Sequence, residues 1–392
     1  MKEKIKSAAA AIYPELIEIR RHLHQYPELS FQEFETAKYI EYTLKRWGIE
    51  KVERIAETGV LARIEGKNPK KRHIALRADI DALPITEQNT TDYISKNKGL
   101  MHACGHDVHT TSLLGTAYIL NQFKNDWEGS LTFIFQPGEE KLPGGASLVI
   151  KGGHLDNPRP DCILGQHVEP EMEVGKIGIR SGLFMASADE IYITVKGKGG
   201  HGAKPHQCID TVLLASQLIV SLQQIVSRRA EPTTPTVLSF GKINSEGGAT
   251  NIIPEKVFIE GTLRTFDEKW RFEAHKMIKD MAQQLCESMG GTCDIRIEVG
   301  YPFVKNHEKL TEKLKETASD YLGSENIVEV PARMGAEDFA YYTHLMPASF
   351  YRLGSKNPNG TGLHSPIFDI DERALEIGAG LMAWLSIHDL MS

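Results

Sequence analysis

The stretch DEIYITVKG (Asp189–Gly197) alternates apolar and polar side chains, as a half-buried strand does. It marks a change of rhythm in the chain. Downstream lie a long helical run from about Cys208 to Arg229, the strand-like runs TPTVLSFGKI and KVFIEGTLRTF, the helical run KWRFEAHKMIKDMAQQLCESMG, and the strand TCDIRIEVG. The order β-α-β-β-α-β is the ferredoxin-like pattern, and it is complete in itself. Its span of about 110 residues suits one small domain.

Upstream the rhythm is different. A helix runs to about Leu23, a loop follows at Tyr26-Pro27, and a second helix begins with Ser30 as its N-cap. Then come the strands GVLARIEG and RHIALRADI, a helix from near Asp107, the strand SLTFIFQ, a short helix around ASLVIKGG, and the strand DCILGQHV. Beyond Tyr301 the chain returns to helix, strand and a closing helix. Strands alternating with helices predict an α/β layered sheet. The expected fold class is therefore α/β: a large sheet domain over residues 1–186 and 299–392, interrupted by a smaller α+β domain over 187–298.

Composition narrows the function classes. At 392 residues with 41% hydrophobic content, the chain can bury a large core without staples. A net charge of −7 and no basic stripe argue against a nucleic-acid partner. The five cysteines, Cys104, Cys162, Cys208, Cys286 and Cys293, form no C-x-x-C pair, which predicts reduced thiols. The N-terminal apolar run is too short for a signal peptide, and no apolar run reaches the ~18 residues of a membrane span. Together these predict a soluble, cytoplasmic protein without a membrane partner.

Five polar clusters stand out. RADIDALP, QPGEE, GQHV and LHSP each follow a strand of the large domain, and HACGHD precedes a helix. In open α/β sheets ligands gather at the carboxyl ends of the strands. Cys104 and His106, two apart, can point the same way in an extended loop and reach one ion. Thiolate, imidazole and carboxylate together suit a divalent transition metal. A lone C-x-H would read as a buried thiol beside a helix start; His167, His364 and the Glu139-Glu140 pair at matching sites reverse that reading. Of two adjacent carboxylates, one can hold a metal and the other serve as general base to water, as metal-assisted hydrolysis requires. A Cys104–His nucleophile dyad would leave the other groups without work. GKGGHG (Gly197–Gly202) fits G-x-G-x-x-G, but no strand ending in an acid follows at the right distance. His22, His24, His73 and His109 read as surface or packed histidines, and His102 is ambiguous beside Cys104.

RRHLHQYPELSFQEFETA, ALRADIDALP, MHACGHDVHTTSLLG, FQPGEE, GKGGHGAKPH, TNIIP, GTLRTF, GAEDF and LHSP occur in this order over nearly the whole chain. The set resembles the amidohydrolase branch of the aminoacylase and carboxypeptidase G metallopeptidases, which includes hippurate hydrolases, N-acyl-amino-acid amidohydrolases, N-acetyldiaminopimelate deacetylases and auxin-conjugate hydrolases. The resemblance implies a catalytic domain holding two divalent ions (manganese or zinc, with cobalt or nickel allowed) and an inserted lid that mediates homodimerisation. It makes Cys104, His106, Glu140, His167 and His364 the metal ligands and Glu139 the general base. It gives His201 the oxyanion, Asn251 and Arg264 the substrate carboxylate, and Asp79 the orientation of a ligand. Where the peptidase members have His-x-Asp, this chain has Arg77-Ala78-Asp79, a change its branch shares. The implied reaction is hydrolysis of the amide of a small N-acyl-L-amino acid. A dipeptidase or aminopeptidase of the same architecture, and a non-catalytic metal-binding homologue, are the alternatives.

Overall fold

The computed structural model describes residues 1–358 and 360–391. Its chain divides into two compact units. The first comprises Met1–Phe184, Lys305–Pro331 and the chain from Asp338 onward; the second comprises Met185–Val304 and Ala332–Glu337.

The first unit opens with α1 (Lys2–Gln25) and α2 (Phe34–Arg46), followed by β1 (Val52–Ile55), β2 (Gly59–Glu65) and β3 (His73–Asp79). Next come α3 (His106–Gln122), β4 (Ser130–Gln136), β5 (Cys162–Glu169) and β6 (Ile177–Ile179). The second unit supplies β7 (Asp189–Lys196), α4 (Thr211–Gln224), β8 (Thr236–Ser245), β9 (Lys256–Thr265), α5 (Glu268–Ser288) and β10 (Thr292–Val299). The chain then returns to the first unit with α6 (Glu308–Leu322), β11 (Ile327–Glu329), β12 (Ala348–Gly354) and α7 (Arg373–Met391).

The large sheet has the order β1-β2-β4-β3-β5-β12-β6-β11. Its four central strands, β4, β3, β5 and β12, are mutually parallel, and every residue in them is buried. Strands covered on both faces are the mark of parallel sheets. Helix α3 is buried almost all round, which explains its lack of an amphipathic stripe. It lies between α1 and α7 so closely that a Cβ on Gly115 would come within 2.8 Å of the Ala379 Cβ and 3.0 Å of Leu16.

The second unit is a four-stranded antiparallel sheet in the order β8-β9-β7-β10. Leu214, Leu218 and Leu222 of α4 and Ala274, Ile278 and Ala282 of α5 share a core with Ile191, Ile193 and Val195 of β7. Helix α4 starts at Thr211 rather than Cys208, because the Asp210 side chain accepts from the Val212 and Leu213 amides and caps it. Helix α2 likewise starts at Phe34, four residues beyond the cap expected at Ser30.

The alternation of β7 places Asp189 on the same buried phase as Ile191 and Ile193. A buried carboxylate must be paired. Arg271 donates to it from Nε at 2.9 Å and from Nη2 at 2.6 Å, and His275 Nε2 lies 2.7 Å away. Burial pushes the Asp189 carboxyl up, but Arg271 and His275 outweigh it and hold its pKa below the usual range. A depressed carboxylate contributes stability that is present above the unfolded pKa of about 3.9 and lost as pH falls through the folded value. We expect Asp189→Asn to destabilise this unit by about 3–5 kcal/mol, since Arg271 loses its charged partner. Hydrogen exchange of the β7 and α5 amides would report it, and the variant's acid-side loss of protection should be flatter than that of the parent.

Candidate metal centre

The parallel order of β4, β3, β5 and β12 brings their carboxyl ends to one edge of the sheet. Asp79 ends β3, with Asp81 two residues on. Glu139 and Glu140 follow β4, and His167 lies near the end of β5. Cys104 and His106 stand at the start of α3, and His364 on the segment after β12. The glycine between Cys104 and His106 is required: Gly105 has φ +80°, and a Cβ there would meet Val168 at 2.5 Å. His364 has φ +60°, and its amide donates to the Ala103 carbonyl at 2.7 Å. This is a left-handed conformation that histidine adopts more readily than most residues.

Hydrogen bonds behind the rings set the tautomers. His106 Nδ1 donates to the Asp81 carbonyl oxygen at 2.9 Å, with Asp81 Oδ1 at 3.1 Å. His167 Nδ1 donates to the Val168 carbonyl at 2.7 Å. In the neutral ring, which His106 reaches when an ion displaces its second proton, each Nε2 offers a bare lone pair, the form a metal binds. Cys104 Sγ lies 3.5 Å from His167 Nε2 and 3.3 Å from His364 Nε2. Glu140 Oε1 lies 3.4 Å from His364 Nε2 and 3.9 Å from His106 Nε2. Bonds of 2.0–2.3 Å in a tetrahedron separate ligand atoms by about 3.3–3.8 Å, so these spacings fit ligands around shared ions. Among the described residues, His106 Nε2 and Glu140 Oε1 are buried and find no hydrogen-bond partner. Such orphaned atoms are costly unless something else binds them.

Two donor sets share the Cys104 sulfur: Cys104, His106 and His167, and Cys104, Glu140 and His364. A third joins His106 to Glu139 and Glu140. The centre is therefore suited to a pair of divalent ions. Its charge agrees. Burial, then Glu140 and Glu139, push the Cys104 thiol well up. Burial would lower His106, but Asp79, Asp81 and Glu140 raise it to about 10. Burial drives His167 well down. The cluster holds more negative charge than its own side chains neutralise, and cations would displace the protons that Cys104 and His106 otherwise keep.

Glu139 is buried, and its Oε1 accepts the Asp338 amide at 3.4 Å. Asp338 is braced from below. It accepts from Arg77 Nη2 at 2.6 Å and from Gln136 Nε2 at 2.8 and 2.9 Å. Arg77 Nη1 donates to Asp79 Oδ2 at 2.7 Å, and His109 Nδ1 donates to Asp79 Oδ1 at 2.6 Å while its Nε2 accepts the Val168 amide. Asp79 thus orients His109 and Arg77, and Asp81 stands directly behind His106. Asp81 also accepts the Ser30 hydroxyl at 2.7 Å and the Glu140 amide at 2.9 Å.

Sequence reasoning gave Asp81, His109, Arg77 and Asp338 no role. His109 could have been found, because it stands three residues after His106 on one helix face. His24 and His73 are packed, buried side chains of a helix and a strand. His102 joins no donor set among the described residues, and burial lowers its pKa to about 4. In the second unit, His201 and Asn251 are neighbours: Gly200 and His201 pair with Ile252 and Ile253, and the Gly202 amide donates to the Asn251 carbonyl at 2.7 Å. Arg264, on β9, donates from Nε to Thr262 at 3.0 Å.

Among the described residues, no helix is long and apolar enough to cross a membrane. Comparison with known proteins agrees with the site. The chain is 42% identical over 362 residues to the N-acetyl-L-cysteine deacetylase of Bacillus subtilis, covering 92% of this chain and 85% of the relative. It is 44% identical over 308 residues to an N-acyl-L-amino acid amidohydrolase of Geobacillus stearothermophilus, covering 79% and 82%. Its fold superposes with a TM-score of 0.83, at 36% identity and 97% and 99% coverage, on the Bacillus subtilis YXEP protein, a dinuclear metal binding peptidase from the M20 family. Residues 75–386 match peptidase family M20/M25/M40, and with the donor sets described above the chain belongs to that family as a metal-dependent hydrolase.

Proposed function

We propose that the protein hydrolyses the amide bond of N-acyl-L-amino acids, releasing a carboxylic acid and a free amino acid. The observation that carries this reading is the convergence of His106 Nε2 and Glu140 Oε1, buried and without a hydrogen bond among the described residues, with Cys104, His167 and His364, beside the buried Glu139. The deacetylase and amidohydrolase relatives act, by name, on acylated amino acids, and this supports the substrate class.

In this reading Cys104, His106, Glu140, His167 and His364 hold two divalent ions, with Cys104 common to both sets. Thiolate and imidazole favour zinc on softness, and manganese suits the carboxylate. Bound ions supply a water made nucleophilic near neutral pH and polarise the acyl carbonyl. Glu139 takes the proton of the attacking water and returns it to the leaving amine. His201 shares the charge that develops on the carbonyl oxygen. Arg264 grips the substrate carboxylate with its fork, assisted by Asn251. The inserted unit acts as a ferredoxin-like lid and as the surface of a homodimer. Helix α4 exposes Val212, Leu213 and Val220, the last to 73%. We expect Val220→Glu to shift sedimentation of the chain toward a monomer; an unchanged profile would place the dimer contact elsewhere.

Hydrolysis of N-acetyl, N-succinyl and N-benzoyl amino acids and of dipeptides, by stripped protein reloaded with manganese or zinc, tests the reaction. We expect metal-restored turnover of an N-acyl amino acid, and a loss of about 10²–10⁴-fold in kcat for Glu139→Gln with metal content unchanged. Turnover of dipeptides alone would make it a peptidase. No turnover with metal bound would leave a metal-binding homologue. Asp81→Ala removes the carboxylate behind His106 and should weaken metal binding about 10–100-fold, read by chelator competition.

A further inference from the structure

One guanidinium joins two of the segments that carry the metal ligands of the first unit, those of His106 and His364. Arg20, within α1, is fully buried. It donates from Nε to Asp107 Oδ2 at 2.9 Å and from Nη2 to Asp369 Oδ1 at 3.0 Å. Asp107 directly follows His106, and Asp369 lies five residues beyond His364. The same two segments meet again where the His364 amide reaches the Ala103 carbonyl and where His364 Nε2 comes within 3.3 Å of Cys104 Sγ. The acceptors are themselves held. His24 Nδ1 donates to Asp107 at 2.8 Å, and the Tyr93 hydroxyl donates to Asp369 at 2.9 Å.

A planar charged fork fixes both the distance and the angle between two carboxylates, which a lysine cannot do. Buried ion pairs add little net stability over apolar packing, so the arrangement invites a geometric explanation. We propose that Arg20 is a positioning residue for the metal centre. It sets the separation of the His106 segment from the His364 segment, and so allows Cys104, Glu140 and His364 to close around one ion. The proposal rests on the metal-hydrolase reading above.

The test uses the full chain loaded with cobalt(II) and needs no substrate. The affinity of each ion is read by chelator competition, and the ligand geometry by the thiolate-to-cobalt charge-transfer and d–d bands. Parent protein should take up two ions. Arg20→Lys, folded by circular dichroism, should lose about 10–100-fold in the affinity of one ion and show a changed charge-transfer band. Tyr93→Phe, which removes a donor to Asp369 and keeps the ring that lies under the Arg20 guanidinium, should shift the same readouts in the same direction by less. Arg21→Gln, which removes a half-exposed ion pair to Glu372, should change neither. If a folded Arg20→Lys binds both ions with the parent's affinities and spectrum, Arg20 is structural only and the proposal falls. It falls equally if Arg20→Lys does not fold while Tyr93→Phe matches the parent. A parent chain that binds no cobalt would instead overturn the metal reading itself.

Discussion

The hydrogen bond from His106 Nδ1 to the Asp81 carbonyl oxygen decides what the centre can bind, because it turns the buried Nε2, which has no hydrogen-bond partner among the described residues, into the atom that offers its lone pair once its proton is displaced. Had the ring been reversed, Nε2 would carry the hydrogen and point it into a cluster built for a cation. Asp81 does more than hold one ring. Its carboxylate accepts the Ser30 hydroxyl from the loop before α2 and the Glu140 amide from the loop after β4. Three segments distant in sequence are thus aligned on one acid, which follows β3 by two residues. The separation of His106 from Glu140, and so the fit to an ion, depends on that acid being ionised and fully occupied.

Around it the chain solves a harder problem, the burial of many carboxylates in one place. Asp79, Asp81, Asp107 and Asp338 have no exposed surface to speak of. An uncompensated buried charge is prohibitive, so each is matched. The pleat of β3 sends Arg77 and Asp79 to one face, where Arg77 spans Asp79 and Asp338. This offers a physical account of arginine at the position where the wider family has histidine. The side chain here ties the acid at the end of β3 to the acid whose amide touches Glu139, instead of binding an ion itself.

The division into an α/β sheet and a β-α-β-β-α-β insertion was legible in the sequence because periodicity is local and repeated along long elements. The convergence of Cys104, His106, Glu140, His167 and His364 was legible because clusters at successive ends of parallel strands come to one edge of a sheet. Ser30 shows the limit. A serine before a helical run satisfies every local criterion for a cap, yet its hydroxyl goes to Asp81, fifty-one residues away, and the helix waits for Phe34. Strands β6 and β11, three residues each, carry too little pattern to be seen. The residues behind the ligands were invisible for another reason. Asp81, Asp338 and Arg77 are ordinary polar residues in sequence, and only the fold brings their partners to them.

The two units repeat one device. In α1, Arg20 and His24 stand four apart and grip Asp107; in α5, Arg271 and His275 stand four apart and grip Asp189. One helical turn separates the pair, so a fork and an imidazole meet a single carboxylate arriving from another element. The chemistry is the same, but the positions differ. Asp189 begins a strand of the second unit's sheet, far in sequence from the donor sets, and its network has a fold to hold. Asp107 adjoins a ligand, and its arginine reaches on to Asp369 on a third segment, whereas the second carboxylate around Arg271, Glu268 at 2.9 Å, stands on the same helix. A second carboxylate on its own helix lets a clamp stabilise, while one on a separate segment lets it set a distance. A charge network can therefore serve either end, and the elements it joins decide which.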